Sequence, residues 1–456
     1  MKTNKIIGLL AVSAMTFSTI GCSSKSTTVS TEITGTYTRY VQGDDWGPGV
    51  SSVTLTLDHP IDSVDASTFT VSETKDDTDW TDDSYPTVSK TNERTVTDAY
   101  LVDENGDKTK DASKYVTIEL EIDPKTGSPF QYEAITRRNI WTPYTMDITL
   151  SEDANLTSEG TKVTTFTINS EYTDTITSAD EFEYDSYTAQ DGTKYQYAYY
   201  EPEEKSETLV VWLHGGGEGG ADGIETDPSI VLFGSEAANL GASDFQKTIG
   251  GANVLVPQCP TFWIDNGNYS EHPTQNEVVM SNDGTSIYLD SLVELIDTYK
   301  EKTGSKKVVL IGCSNGGYMT LLLGKTYPEK YDILVPICGP LSLDKFTNDK
   351  IEALKEKPIY FVWSSNDPTV PADDFEVPTV KAFKEAGFTN LHTSVTDSVI
   401  DTSGRFFLDT DGNLTLEDTG TPYEYSGHWS WIYFFNNETS DENGQTAWDF
   451  IAENLK

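Results

Sequence analysis

The chain has 456 residues, with 31 Lys and Arg against 74 Asp and Glu, a formal net charge of −43. A surface this acidic repels phosphate backbones, and the five arginines (Arg39, Arg94, Arg137, Arg138, Arg405) form no basic stripe. Nucleic acid is thereby excluded as a partner, and adsorption to anionic headgroups is disfavoured. An 11% aromatic content argues against wholesale disorder, and the length suggests two or three domains.

Lys2 and Lys5 precede an apolar stretch from Ile6 to Ile20, which ends at Gly21-Cys22. The stretch is too short, and too interrupted by Ser and Thr, to span a bilayer, and it reads as an export signal. The small residue before Cys22 resembles the lipobox of bacterial lipoproteins. That resemblance implies cleavage after residue 21, diacylation of Cys22 and anchoring at the bacterial cell surface, with no other route to the membrane. An ordinary secretory signal is the alternative. Ser23 to Thr31 are nearly all Ser and Thr, so residues 22–35 are expected to form a flexible tether.

Residues 36–178 are rich in Thr, Ser, Val and Tyr. Ser52–Leu57, Tyr115–Leu120 and Lys162–Ile168 alternate apolar and polar residues, with turn signals such as Glu104-Asn105-Gly106-Asp107 between such runs. Short alternating strands without a helical period predict an all-β antiparallel sandwich of immunoglobulin type. It contains no Cys and offers nothing catalytic, which suggests a spacer or docking module.

Residues 179–456 change texture. Apolar strands at Leu209–Leu213, Val254–Val256, Val308–Ile311, Ile333–Ile337 and Ile359–Trp363 alternate with helical patterns over Ser286–Tyr299, Tyr318–Tyr327 and Val377–Ala386. This predicts a mostly parallel sheet with helices on both faces, binding its ligand at the carboxyl ends of the strands. Cys259, Cys313 and Cys338 each end an apolar run and are expected to be buried free thiols. No zinc spacing, phosphate loop or dinucleotide fingerprint appears, so neither metal nor cofactor is expected. Asp409-Thr410-Asp411-Gly412-Asn413 has the look of a calcium loop. However, Leu414 takes the place of the required glycine and Gly420 that of the bidentate Glu, so a hairpin is expected there.

Two motifs carry chemistry. Val308-Val309-Leu310-Ile311-Gly312-Cys313-Ser314-Asn315-Gly316-Gly317 runs a strand through Gly-x-Ser-x-Gly into a helix. This is the arrangement that exposes a serine oxygen on a sharp turn. Upstream, Leu209–Leu213 ends in His214-Gly215-Gly216-Gly217, which can aim backbone N–H groups at a developing oxyanion. Gly216, Gly217 and the N–H of Asn315 are the candidate donors, and His214 is expected to be structural.

LVVWLHGGGEGG, LVPQCP and IGCSNGGYMT, in this order, resemble an α/β-hydrolase of the bacterial esterase and predicted-peptidase kind with an N-terminal immunoglobulin-like domain. The resemblance implies a Ser–Asp–His triad in that chain order. Asp367, just past the strand Ile359–Trp363, takes the acid position, with Asp373 and Asp374 as alternatives. His428 takes the base position ahead of His59, His272 and His392. The implied activity is hydrolysis of small-molecule or oligomeric carboxylic esters through an acyl-enzyme. A serine peptidase is the alternative within the class, and a non-catalytic binding lipoprotein the alternative outside it. With Arg405 its one arginine, this region is poorly equipped for anionic substrates, so a neutral ester is expected. Two irregular stretches are expected to wall the pocket: Pro260–Gln275, with Phe262, Trp263 and Tyr269, and the insert Val395–Ser426.

Overall fold

The computed structural model describes residues 31–134, 136–220, 227–267 and 282–456. The export signal, Cys22, His272 and Tyr269 lie outside the described residues.

The N-terminal domain contains twelve strands among the described residues: β1 (Thr31–Asp44), β2 (Gly47–Ile61), β3 (Phe69–Thr78), β4 (Thr87–Arg94), β5 (Val96–Val102), β6 (Ser113–Leu120), β7 (Phe130–Glu133), β8 (Arg138–Trp141), β9 (Tyr144–Leu150), β10 (Thr157–Ser158), β11 (Thr161–Ile168) and β12 (Asp174–Thr177). One sheet runs β10-β11-β1-β2-β6-β5 with β12 also on β1; the second is β4-β3-β9; β7 and β8 form a separate hairpin. Alternation explains the burial: Val53, Leu55 and Leu57 of β2 face the core, as do Val116, Ile118 and Leu120 of β6.

The expectations for this half need three corrections. The strand begins at Thr31, inside the expected tether, because Ile33 is fully buried and a Cβ on Gly35 would lie 2.8 Å from Leu57 Cδ2. The sandwich is not purely antiparallel, since β1 pairs parallel to both β11 and β12. The alternation of β11 also breaks, where a bulge pairs Thr31 with Val163 but Glu32 with Thr165.

The second domain is built on an eight-stranded sheet. Its strands are β13 (Glu183–Thr188), β14 (Lys194–Tyr200), β15 (Thr208–Leu213), β16 (Asn253–Gln258), β17 (Lys307–Cys313), β18 (Ile333–Ile337), β19 (Ile359–Ser364) and β20 (Leu391–Thr396). They lie in the order β13-β14-β16-β15-β17-β18-β19-β20, parallel from β16 to β20 with an antiparallel hairpin at the β13 edge.

Successive residues of β15 serve two different cores. Leu209, Val211 and Leu213 pack with α3 (Leu289–Thr303), α4 (Asn315–Thr326) and α6 (Glu376–Ala386). Val210 and Trp212 pack with α1 (Ser229–Gly234), α2 (Ser243–Ile249), α7 (Trp431–Phe435) and α8 (Ala447–Asn454). The remaining short helix is α5 (Asn348–Leu354). α3 begins three residues later than its period predicts, leaving Ile287 exposed, and ends at Gly304, whose φ of +74° suits a glycine.

The second core continues without a break into the sandwich. Trp141 of β8 packs edge-on against Phe233 of α1, with its indole N–H donating to Ser229 Oγ at 2.8 Å. The insert before His428 also clamps the two domains. Arg405 pairs with Glu121 at 2.7 Å and Phe406 packs on Trp46. Its tip is the hairpin β21 (Phe407–Leu408) and β22 (Leu414–Thr415), in which Asp409 Oδ1 accepts from the N–H groups of Asp411 and Asn413.

Candidate active site

Strand β17 enters the sheet's carboxyl edge and turns at Ser314, whose φ of 52° and ψ of −115° are strained for an L-residue. The turn holds because its flanks have no side chains. A Cβ on Gly312 would lie 2.5 Å from Gly316 O, and one on Gly316 only 1.8 Å from Leu213 O. Helix α4 therefore starts at Asn315, three residues earlier than its apolar pattern indicates.

The structure brings Ser314, His428 and Asp367 together from three separate loops. Ser314 Oγ lies 2.9 Å from His428 Nε2, and His428 Nδ1 lies 2.7 Å from Asp367 Oδ2. The second oxygen of Asp367 accepts the N–H groups of Thr369 and Val370, both at 2.8 Å, which fixes the carboxylate past β19. The loops carrying Asp367 and His428 interlock: a Cβ on Gly427 would lie 2.0 Å from Asn366 Oδ1, and Asn366 Nδ2 donates to Glu424 Oε1 at 3.0 Å. The imidazole packs edge-on against Trp431 at 5.6 Å between ring centres. Ser314 is half-buried and the Asp367 side chain almost wholly so. The Ser314 hydroxyl is thus partly open to solvent and the Asp367 carboxylate is not.

Asp373 and Asp374 lie exposed in a turn, and His59 is exposed beside Asp58. His392 bonds Asp441 and stacks on Tyr360.

Cys338 joins Asp367 and His428 in the one cluster, among the described residues, with metal-ligand proximity. Both imidazole nitrogens are already engaged, and burial beside Asp367 pushes the Cys338 thiol well above its ordinary range. This donor set does not fit a metal ion. Cys259, Cys313 and Cys338 are all buried free thiols.

The other half of the site is the loop after β15. His214 is buried, with Nε2 accepting from Cys259 N–H at 2.9 Å and Nδ1 2.6 Å from Gly215 O. Burial lowers its pKa to about 3, so it stands neutral as a structural pin. Gly216 and Gly217 open a short 3₁₀ turn, and a Cβ on Gly216 would lie 3.8 Å from Asn315 Nδ2. Gly216 thus adjoins the turn that carries Ser314.

Two features escaped sequence reasoning. Glu218, in the same glycine-rich run, is fully enclosed and anchors the loop: Oε2 accepts from Gly215 N–H at 2.8 Å and Oε1 from Ser235 Oγ at 2.5 Å. Burial raises its pKa to about 8. The second is the β7–β8 hairpin of the sandwich, which abuts this loop. Tyr132 Cε2 and Asn139 Nδ2 each lie 3.6 Å from where a Gly217 Cβ would be. Arg138 packs over Phe262 and donates to Thr261 O at 3.3 Å. The sandwich is therefore more than a spacer. Only the glutamate left a local signal, an acid inside a run of glycines.

Residues 36–164 match the esterase Ig-like N-terminal domain family, and residues 197–386 match the phospholipase/carboxylesterase α/β-hydrolase family. Among solved structures, a thermostable esterase aligns over 88% of this chain and 96% of its own, at 20% identity and a TM-score of 0.64. A feruloyl esterase module from Clostridium thermocellum covers 47% of this chain and 80% of its own, at 15% identity and a TM-score of 0.35. No curated protein sequence matches. The two domain matches and the sheet topology together make the chain an immunoglobulin-like domain of the kind found in esterases, followed by an α/β-hydrolase domain of the phospholipase/carboxylesterase kind.

Proposed function

We propose that the protein is a serine carboxylesterase acting on neutral esters through an acyl-enzyme, with Ser314 as nucleophile, His428 as general base and acid, and Asp367 as its orienting carboxylate. The observation that carries this reading is the continuous hydrogen-bond path from Asp367 through His428 to an oxygen on a strained strand–helix turn.

Ser314 Oγ attacks the ester carbonyl carbon while His428 Nε2 takes its proton. Asp367 holds the Nδ1–H tautomer and stabilises the imidazolium. The carbonyl oxygen becomes an oxyanion received by the N–H groups of Asn315 and of Gly216 or Gly217, and such donors are each worth about 3–4 kcal/mol in the transition state. His428 then protonates the departing alcohol. Water, deprotonated by the same nitrogen, attacks the acyl-enzyme and releases the acid. The chain's charge of −43 repels the carboxylate product and favours its departure.

Turnover of a panel of acyl esters and aminoacyl amides by the full chain tests the chemistry. Ester hydrolysis abolished in Ser314→Ala is the expected result, and amides hydrolysed faster than esters would overturn it. Surface anchoring is part of the same proposal and rests on the sequence Met1–Cys22. Labelled palmitate should enter the expressed protein and be lost in Cys22→Ala.

A further inference from the structure

Ten large hydrophobic side chains stand exposed among the described residues, and three of them converge beside the loop proposed to hold the oxyanion. Trp80, Tyr85 and Tyr132 are 56%, 42% and 40% exposed. Trp80 lies nearly parallel to Tyr132, with centroids 6.1 Å apart and planes 20° apart, and its ring centre is 5.7 Å from that of Tyr85. Tyr132 in turn touches the space over Gly217. The backbone that carries the rings is tied down. Thr78 Oγ1 donates to Tyr132 O at 2.7 Å, Lys75 Nζ donates to Ser128 O and Phe130 O, and the turn carrying Trp80 closes with Asp79 N–H on Pro86 O at 2.9 Å. Three aromatics kept in water at the mouth of a reaction centre form a preorganised surface for a flat ligand.

Resting on the esterase reading, we propose that Trp80, Tyr85 and Tyr132 form a subsite for the uncharged pyranose ring of an acylated sugar, with its ester carbonyl at the Gly216–Gly217 loop. Continuity supplies the first argument: any group extending from a carbonyl at Gly217 toward the sandwich meets Tyr132. Charge supplies the second, because a chain at −43, with exposed Asp82 and Asp83 in the Trp80 turn, repels anionic rings. The rim supplies the third. The hydroxyls of Tyr85 and Tyr132, the Asn139 amide and these carboxylates match ring hydroxyls, whereas an unsubstituted aryl ring would leave them unused.

The test is the ratio of kcat/KM for an O-acetylated methyl pyranoside to that for ethyl acetate, measured on the full chain. Trp80→Ala with Tyr132→Ala should lower that ratio at least tenfold, mainly through KM for the sugar, while Trp80→Phe stays within threefold of the parent. Trp80→Ala alone, at an exposed turn residue, gives the same readout if the double variant folds poorly. A ratio within twofold of the parent overturns the subsite. A larger loss for phenyl acetate than for the pyranoside also overturns it, assigning the patch to aryl rings. So does concentration-dependent self-association that Trp80→Ala abolishes while the ratio holds. Ser314→Ala separates the two proposals: retained turnover of either ester refutes the esterase reading itself, whatever the ratio does.

Discussion

Replacing Glu218 tests how the oxyanion loop is held. Glu218→Ala strands two buried polar groups, Gly215 N–H and the Ser235 hydroxyl, which bond its carboxyl at 2.8 and 2.5 Å. An unsatisfied buried polar group costs about 1–3 kcal/mol, so stability should fall by about 2–6 kcal/mol. If the loop then drifts and one oxyanion donor is lost, kcat should fall about 10²–10³-fold with KM little changed. Glu218→Gln is the informative partner. With its pKa raised to about 8 by burial, Glu218 is mostly protonated at neutral pH, a state that glutamine mimics. Its kcat should stay within about threefold of the parent. The pH dependence follows in sign. A carboxyl held above its ordinary 4.5 stays protonated in the native state while the unfolded chain ionises. Stability therefore falls as pH rises from about 4.5 to about 8 and levels off above, by at most about 5 kcal/mol. Glutamine removes that slope, leaving those of the other buried acids: Glu376, raised to about 8, Glu236, pushed well above its ordinary range, and Asp44, raised to about 6. Urea denaturation at pH 5 and pH 8, with steady-state kinetics, measures both effects. If Glu218→Gln loses as much kcat as Glu218→Ala, the native group is ionised and this reasoning fails. An unimpaired Glu218→Ala would show that the loop holds itself.

Asp367→Asn should lower kcat by about 10³–10⁴-fold while leaving the melting temperature close to the parent's, because the wrong imidazole tautomer then faces Ser314. Gly316→Ala should yield no soluble folded protein, since its methyl would stand 1.8 Å from Leu213 O; circular dichroism of any soluble fraction checks this. Cys259, Cys313 and Cys338 should be unreactive to a thiol reagent in the native protein and all three reactive once it is denatured without reductant. Fewer than three would reveal a bridge.

What the sequence made legible was what local chemistry dictates. A strand, a glycine two residues either side of Ser314 and a helix can be read from a dozen neighbouring letters, because the steric demand is itself local. Asp367 and His428 came from their order along the chain, through family resemblance. The β1–β11 and β1–β12 parallel pairings were not legible, since each joins segments more than 100 residues apart and leaves the period-2 pattern unchanged. Nor was the approach of Tyr132, Arg138 and Asn139 to the oxyanion loop. Those residues alternate like any others in a hairpin, and it is the docking of the domains, through contacts such as Trp141 on Phe233, that brings them there. Glu218 was visible as a letter, but its role depends on Ser235, 17 residues away in another turn.

The central claim is that the oxygen on the strained turn is the nucleophile. A fluorophosphonate incubated with the full chain, followed by peptide mass mapping, addresses it most directly. The account predicts one adduct, on Ser314, formed in step with loss of ester turnover. Ser314→Ala should neither be labelled nor turn over esters above about 10⁻⁴ of the parent rate. An adduct on any other residue, or an unlabelled protein that still hydrolyses esters, would contradict it.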